Sequence, residues 1–323
     1  MSRTAPSCRV RLRLIVMALG AWLSIVGTSR AQATYEPGVQ SASYERSAPA
    51  AAPPSVRFAR REPQVGDQLE QTLAIRLQLN TMVRQASQVV QQAKTSLYRR
   101  QRRVVTTTHV ANGMAVAVLV RYTEAAKEIA SGPSDGQLGE PSVTPQPVAG
   151  KAYRCRRDGE ALLITDANGS VPPLDEYEIV AQNMESLGRP NPLADFLAGR
   201  TLVVGQRLVL PNDVAEKLLG LGGEMGKATR FELTLQKVAP INGATCALFQ
   251  ASMEAESTDS SQLRLAVEGP LAIEVDTCRA VQASFSGPIG MSETRGSLTA
   301  TYQMTGTGNM TVNIASKYDD VAR

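Results

Sequence analysis

The sequence predicts a mainly β protein with a minor α component, an antiparallel sheet curved as far as an open barrel or half-barrel. Three observations carry that prediction. Apolar and polar residues alternate along most of the chain, as in "LAIRLQL", where Leu73, Ile75, Leu77 and Leu79 take every second position; that period suits a strand with one wet face. Turn signals separate such runs, notably Asn112-Gly113 and the Pro240–Gly243 stretch "PING", whose asparagine–glycine steps favour tight hairpins. Only two segments read as helices, without the regular strand–helix alternation that a parallel sheet demands.

Residues 1–33 read as an export signal. Arg3, Arg9, Arg11 and Arg13 precede an apolar run from Leu14 to Val26, and "AQA" places cleavage after Ala33. The run is short for a membrane span, and basic, apolar and small-residue regions follow in the order of a signal peptide. Cys8 precedes the apolar run, the wrong side for a lipid-modified cysteine, and would leave with the signal. Residues 34–63 are dominated by proline, serine and alanine and read as a flexible leader.

Residues 64–130 form an N-terminal β-rich region. "VVTTTHV" and "MAVAVLVRY" flank the Asn112-Gly113 turn, and "QASQVVQQAKTSLYRRQRR" reads as a long strand in preference to a helix. Residues 131–150, rich in glycine and proline, read as a linker or long surface loop. Residues 151–323 form a C-terminal β-rich region with two short helices, and they make either one domain with 64–130 or a second one. A hairpin turning at Asp158-Gly159 opens this region. The first helix follows Pro172 and Pro173 and stops at Gly188; the second starts at Pro211-Asn212-Asp213, with Val214, Leu218 and Leu219 as its buried stripe. Seven strand-like runs complete the chain, "QLRLAVEG" and "LAIEVDT" being separated at Glu268-Gly269-Pro270 and "GSLTATYQMT" and "NMTVNIAS" standing as separate strands on either side of residues 306–308.

The charge balance weakens a nucleic-acid reading. The formal +4 comes from 34 basic and 30 acidic residues, but the signal holds five arginines and no acid, so the remainder is −1. The cluster "YRRQRR", with arginines from Arg99 to Arg103, suits an envelope surface or another acidic partner better than a nucleic acid. The glycine-rich "GGEMGK", residues 222–227, is followed by Ala228 where a phosphate loop needs Ser or Thr. Asn168-Gly-Ser and Asn309-Met-Thr match the glycosylation pattern, which has meaning only in a glycosylating host.

After the signal, three cysteines remain. Export favours disulfides, and Cys246 with Cys278 forms the expected bridge, the two lying on neighbouring candidate strands. Cys155, in "YRCRRDG", reads as a buried thiol beneath surface arginines. His109 is the only histidine and has no evident nucleophile partner; neither a catalytic triad nor a zinc centre follows. Glu274 and Asp276 share a face with Cys278 if their strand is uninterrupted, and Glu254 and Glu256 form a second pair. Such pairs serve glycosidases, but any solvated sheet face carries them.

No catalytic, cofactor-binding or metal-ligating residue is assigned. The sequence reads as an exported, non-enzymatic envelope, periplasmic or secreted protein with a binding or structural role, accommodating an apolar small molecule or an envelope component. An exported carboxylate-dependent hydrolase acting on glycans is the alternative. The likeness of a curled sheet to extracytoplasmic lipid carriers is an analogy of shape, from which no residue is transferred.

Overall fold

The computed structural model describes residues 54–85, 88–218, 227–257, 261–297 and 300–321. The proposed signal, most of the leader, Leu219 and residues 222–226 lie outside the described residues. Short β1 (Ser55–Arg57) is followed by three long strands, β2 (Gln68–Gln85), β3 (Gln88–Ala111) and β4 (Met114–Gly132). Then come β5 (Ser142–Pro145), β6 (Ala152–Asp158), β7 (Ala161–Thr165), helix α1 (Leu174–Asn183) and helix α2 (Pro192–Leu197). After β8 (Thr201–Val203), β9 (Arg207–Val209) and helix α3 (Asn212–Leu218), the chain meanders through β10 (Lys227–Ile241), β11 (Ala244–Glu256), β12 (Ser261–Glu274), β13 (Ala280–Ser297) and β14 (Ala300–Asp319).

A single 12-stranded antiparallel sheet holds almost all of this, in the order β7-β6-β4-β3-β2-β14-β13-β12-β11-β10-β9, with β5 on β4. The sheet is open, because β7 and β9 are its two edges. Its seam is the pairing of β2 with β14, so residues 64–130 and 151–323 contribute to one sheet. Asn112 (φ 51°) and Gly113 (φ 70°) turn β3 into β4, and Asn242 (φ 50°) and Gly243 (φ 84°) turn β10 into β11. Both positive angles are those a two-residue hairpin needs, and asparagine and glycine adopt them with least strain.

Four expectations need correction. The leader does not extend to residue 63: β1 pairs with β8, and Phe58 is buried with its ring 6.1 Å from that of Phe249. Val56 and Phe58 bury together because alternation puts both on one side of the segment. Residues 131–150 are also partly built into the fold, with β5 on β4 and Val148 buried. The runs on either side of Gly269-Pro270 form one strand, as do the two halves of β14. Finally, α2 appears where no helix was expected; Asn191 caps it, accepting hydrogen bonds from the backbone N–H of Leu193 at 3.1 Å and of Ala194 at 3.2 Å.

Glycine bends these long strands where it seemed to end them. A Cβ at Gly269 of β12 would overlap the Ser284 carbonyl oxygen, one at Gly287 of β13 that of Ala266, and one at Gly308 of β14 that of Gln78. Three adjacent strands therefore approach a neighbour's backbone closely enough to exclude a side chain, as at a barrel corner. Curvature follows, and it gives the sheet an inner and an outer face.

Candidate ligand-binding face

The inner face is built by the alternation already visible in β2. Cross-strand register carries one row of apolar side chains from Leu235 to Phe249, Leu271, Ala283, Ile314 and Leu73. A parallel row joins Phe285, Val312 and Ile75. All belong to one buried cluster, which Leu193, Leu197, Leu202 and Ala215 complete from α2, β8 and α3, with Phe58 from the segment just after β1. The segment from α2 to α3 thus covers part of this face. β9 pairs with β10 through Arg207, Leu208 and Val209, Leu210 N–H donates to the Phe231 carbonyl at 2.8 Å and Gly205 N–H to that of Leu235 at 2.7 Å, and Asp195 forms an exposed ion pair with Arg60.

The character of the face changes at β3. The apolar row passes from Leu73 to Gln101, the next row from Ile75 to Arg99, and Gln71 faces Arg103. Arg99 and Arg103 are 4% and 2% exposed. Arg103 donates to Gln71 Oε1 at 2.5 Å and Gln71 donates to Ser316 Oγ at 3.3 Å. Gln101 donates to Gln146 Oε1 at 2.5 Å, and Asn183 donates to the Tyr122 hydroxyl at 2.9 Å. Beyond this polar girdle the face turns apolar again, where Val180, Met184 and Leu187 of α1 and its C-terminal extension cover Val118, Val120, Tyr153, Cys155 and Ile164.

Burial pushes Arg99 down to about 10, with Arg103 adding repulsion and Tyr122 opposing both. Arg103 is lowered by the same desolvation, against which the Tyr122 phenol acts. No carboxylate forms an ion pair with Arg99 among the described residues, and its Nε has no hydrogen-bond acceptor. By contrast Arg100 and Arg102, one step along the strand, point outward to Glu124 and Glu70. The "YRRQRR" cluster is therefore no surface patch. Strand alternation sorts it into two paired outer arginines and two inner ones, a division that period two with Gln101 at its centre already encodes.

The other residues singled out in the sequence are not brought together. Cys155, Cys246 and Cys278 are all free and buried, which corrects the expected Cys246–Cys278 bridge. Cys278 lies in the turn after β12, at φ 55°, and belongs to the inner cluster, its Sγ 2.8 Å from the Ala59 carbonyl oxygen. Cys246 packs with Ala272 and Val281 on the outer face. The same turn removes the common face supposed for Glu274, Asp276 and Cys278: β12 ends at Glu274, which accepts from Thr277 Oγ1 at 2.6 Å, while Asp276 is exposed. Burial raises the thiols of Cys155 and Cys278 to about 12 and that of Cys246 to about 11, the opposite of what activates a cysteine.

Glu254 and Glu256 line an open trough of about 360 Å³ on the outer face with Thr229, Arg264 and Pro288. Glu254 is 3.2 Å from Arg230, and Glu256 is 3.6 Å from Arg264. His109 is exposed at a bulge in β3. No group of three or more metal-ligating side chains occurs among the described residues, and no described helix is long and apolar enough to cross a membrane.

No protein-family model matches the chain, and no curated protein does so. Among solved structures, lipovitellin, described for its lipid–protein interactions, aligns at 9% identity with a TM-score of 0.39, covering 80% of this chain and 26% of its own. The translocator domain of the autotransporter NalP from Neisseria meningitidis aligns at 9% identity and TM-score 0.16, over 77% of this chain and 88% of that one. The secretin GspD of Escherichia coli K12 does so at 7% and 0.18, over 80% and 51%. At these scores the likeness extends no further than a predominance of β-strands. The molecule is a β-rich protein built on one large, open, curved antiparallel sheet.

Proposed function

We propose that this is an exported, non-enzymatic binding protein that holds an apolar or amphiphilic small molecule on the inner face of its sheet. The observation that carries this reading is the apolar row running in register across six strands, Leu235 to Leu73, buried in one cluster with side chains of the α2–α3 segment. A concave, mainly apolar surface with a few polar groups at one margin is the usual form of a small-molecule site. The carboxylates of the trough are engaged by arginines, which gives the glycan-hydrolase alternative less support. Export rests on the sequence of residues 1–33.

The test is organic extraction of the purified protein followed by mass spectrometry. A stoichiometric amphiphile or lipid, released in parallel with increased mobility of residues 190–218 by hydrogen exchange, is expected. A protein that yields no extractable compound and does not bind an environment-sensitive alkyl fluorophore overturns the reading.

A further inference from the structure

One strand glycine is not explained by the fold. At Gly269, Gly287 and Gly308 a neighbour's backbone excludes a side chain, but a Cβ on Gly290 of β13 would meet nothing within 4 Å. Gly290 pairs regularly with Arg264 of β12 and Thr307 of β14, without a bulge, and its φ is not left-handed. Glycine inside a strand is destabilising. Where neither a bulge nor a backbone demands it, the remaining reason is the close approach of a ligand. We infer that the outer-face trough, which Gly290 lines, binds an uncharged oligosaccharide, at a site independent of the inner face.

The trough has the room and the course for such a chain. It holds about 360 Å³. Register places Glu256, Arg264, Gly290 and Thr307 in one row from β11 to β14, a run of about 15 Å at the ordinary strand spacing. Charged side chains stand at the β11–β12 end of that row, and Gly290 leaves its middle low. The row continues to Asn80 on β2, and Asn309 and Gln78 extend the row beside it from Pro288.

The chemistry of the walls selects an uncharged, hydroxyl-rich molecule. Arg230 lies 3.2 Å from Glu254, and Arg264 lies 3.6 Å from Glu256. Each carboxylate of the trough therefore already faces a guanidinium, and an incoming ion would compete with a partner in place. Both kinds of group keep hydrogen-bonding capacity: a carboxylate accepts at two oxygens and a guanidinium donates from five N–H groups, which suits adjacent sugar hydroxyls. Thr229 and Thr307 add hydroxyls, while Ala266 and Pro288 offer apolar surface to the C–H side of a sugar ring. The residues that prolong the rows, Gln78, Asn80 and Asn309, are exposed amides. An alkyl chain would find charge along one wall and amides at the far end.

The experiment is calorimetric titration of the full chain with maltotetraose, cellotetraose and tetra-N-acetylchitotetraose, and with tetragalacturonate and tetralysine as charged counterparts. A neutral tetrasaccharide should bind, and neither charged tetramer should. Gly290→Leu should weaken that saccharide by more than about tenfold, because its side chain fills the trough. Arg264→Ala should weaken it too. Gln282→Leu, on the same face of β13 but outside the trough, should leave it unchanged. Saccharide affinity that survives in Gly290→Leu overturns the trough as the site. Binding of tetralysine or tetragalacturonate alone overturns the uncharged ligand, and shortening of the saccharide overturns a binding role in favour of hydrolysis. Failure of every compound to bind overturns the site and leaves the inner-face reading, tested by extraction, unaffected. In ligand-free protein Gly290→Thr should melt no lower than wild type, because a β-branched residue suits an exposed strand position; a lower melting temperature marks Gly290 as structural and overturns the assignment.

Discussion

Replacing Gly308 by alanine tests whether close backbone approach curves the sheet. The new Cβ would overlap the Gln78 carbonyl oxygen, and it would stand 2.8 Å from that carbonyl carbon and 3.0 Å from Leu79 Cα. Carbon pairs are at ease near ~3.5–4.0 Å. The obstacle is backbone on a paired strand, so it cannot rotate aside; β14 must move from β2. Overpacking of this kind costs ~1–3 kcal/mol, and two weakened ladder bonds add ~1 kcal/mol each. The expected loss is therefore about 3–5 kcal/mol. At ~2–4 °C per kcal/mol for a domain of this size, the melting temperature should fall by roughly 6–20 °C. Gly290→Ala on β13 is the control, since nothing lies within 4 Å of its added Cβ, and its effect should stay within about 1 kcal/mol. Urea titrations followed by circular dichroism compare the two. If Gly308→Ala falls within about 1 kcal/mol of Gly290→Ala, the corner is not where the curvature is set.

Adjacent arginines should respond differently to truncation. Arg102→Ala removes an exposed pair with Glu70 and should cost under about 1 kcal/mol. Arg103→Ala removes the donor to the buried Gln71 Oε1 and should cost about 2–4 kcal/mol in the same titration; equal costs would contradict the inner and outer assignment. Burial pushes the Glu176 carboxyl up, but hydrogen bonds from Lys151 and Tyr153, each 2.6 Å, outweigh it and hold the group below its usual value. Its stabilising contribution is thus complete above the unfolded value of about 4.3 and is lost as pH falls through the lower folded value. The stability gap between wild type and Glu176→Gln should be flat above about pH 5 and shrink below about pH 4; a gap unchanged at the acid end refutes this. Peptide mapping after iodoacetamide at neutral pH should find Cys155, Cys246 and Cys278 unmodified in the native protein and all three modified after denaturation without reductant. Modification of Cys155 alone would reinstate the bridge.

Where local chemistry decides the structure, the sequence was readable. Leu73, Ile75, Leu77 and Leu79 alternate because one side of β2 is buried, and Asn112-Gly113 and Asn242-Gly243 turn because few residues tolerate their backbone angles. Gly269 and Gly308 carry the same chemical freedom but serve contact with a neighbouring strand, which a single chain segment does not reveal. They read as breaks when they are bends. Cys278 misled for a related reason: its left-handed turn removes the alternation that would have put it on a common strand face with Glu274 and Asp276. The inner arginines were visible as residues and hidden as a site. Their partners across the register, Ile75 and Gln71, show that β3 faces the core, and that requires knowing that β2 is its neighbour.

The seam between β2 and β14 also sets a timetable for folding. Hairpins on either side of it join residues close in sequence, whereas the seam joins partners roughly 220–250 residues apart, the kind of contact that slows folding most. Closing so large a loop loses chain entropy before any ladder bond forms. Until β14 is available, β2 presents an 18-residue bare edge, long enough to recruit another chain. A strand more than 200 residues further along the chain therefore completes the middle of the sheet, and the interval before it arrives is when aggregation threatens most.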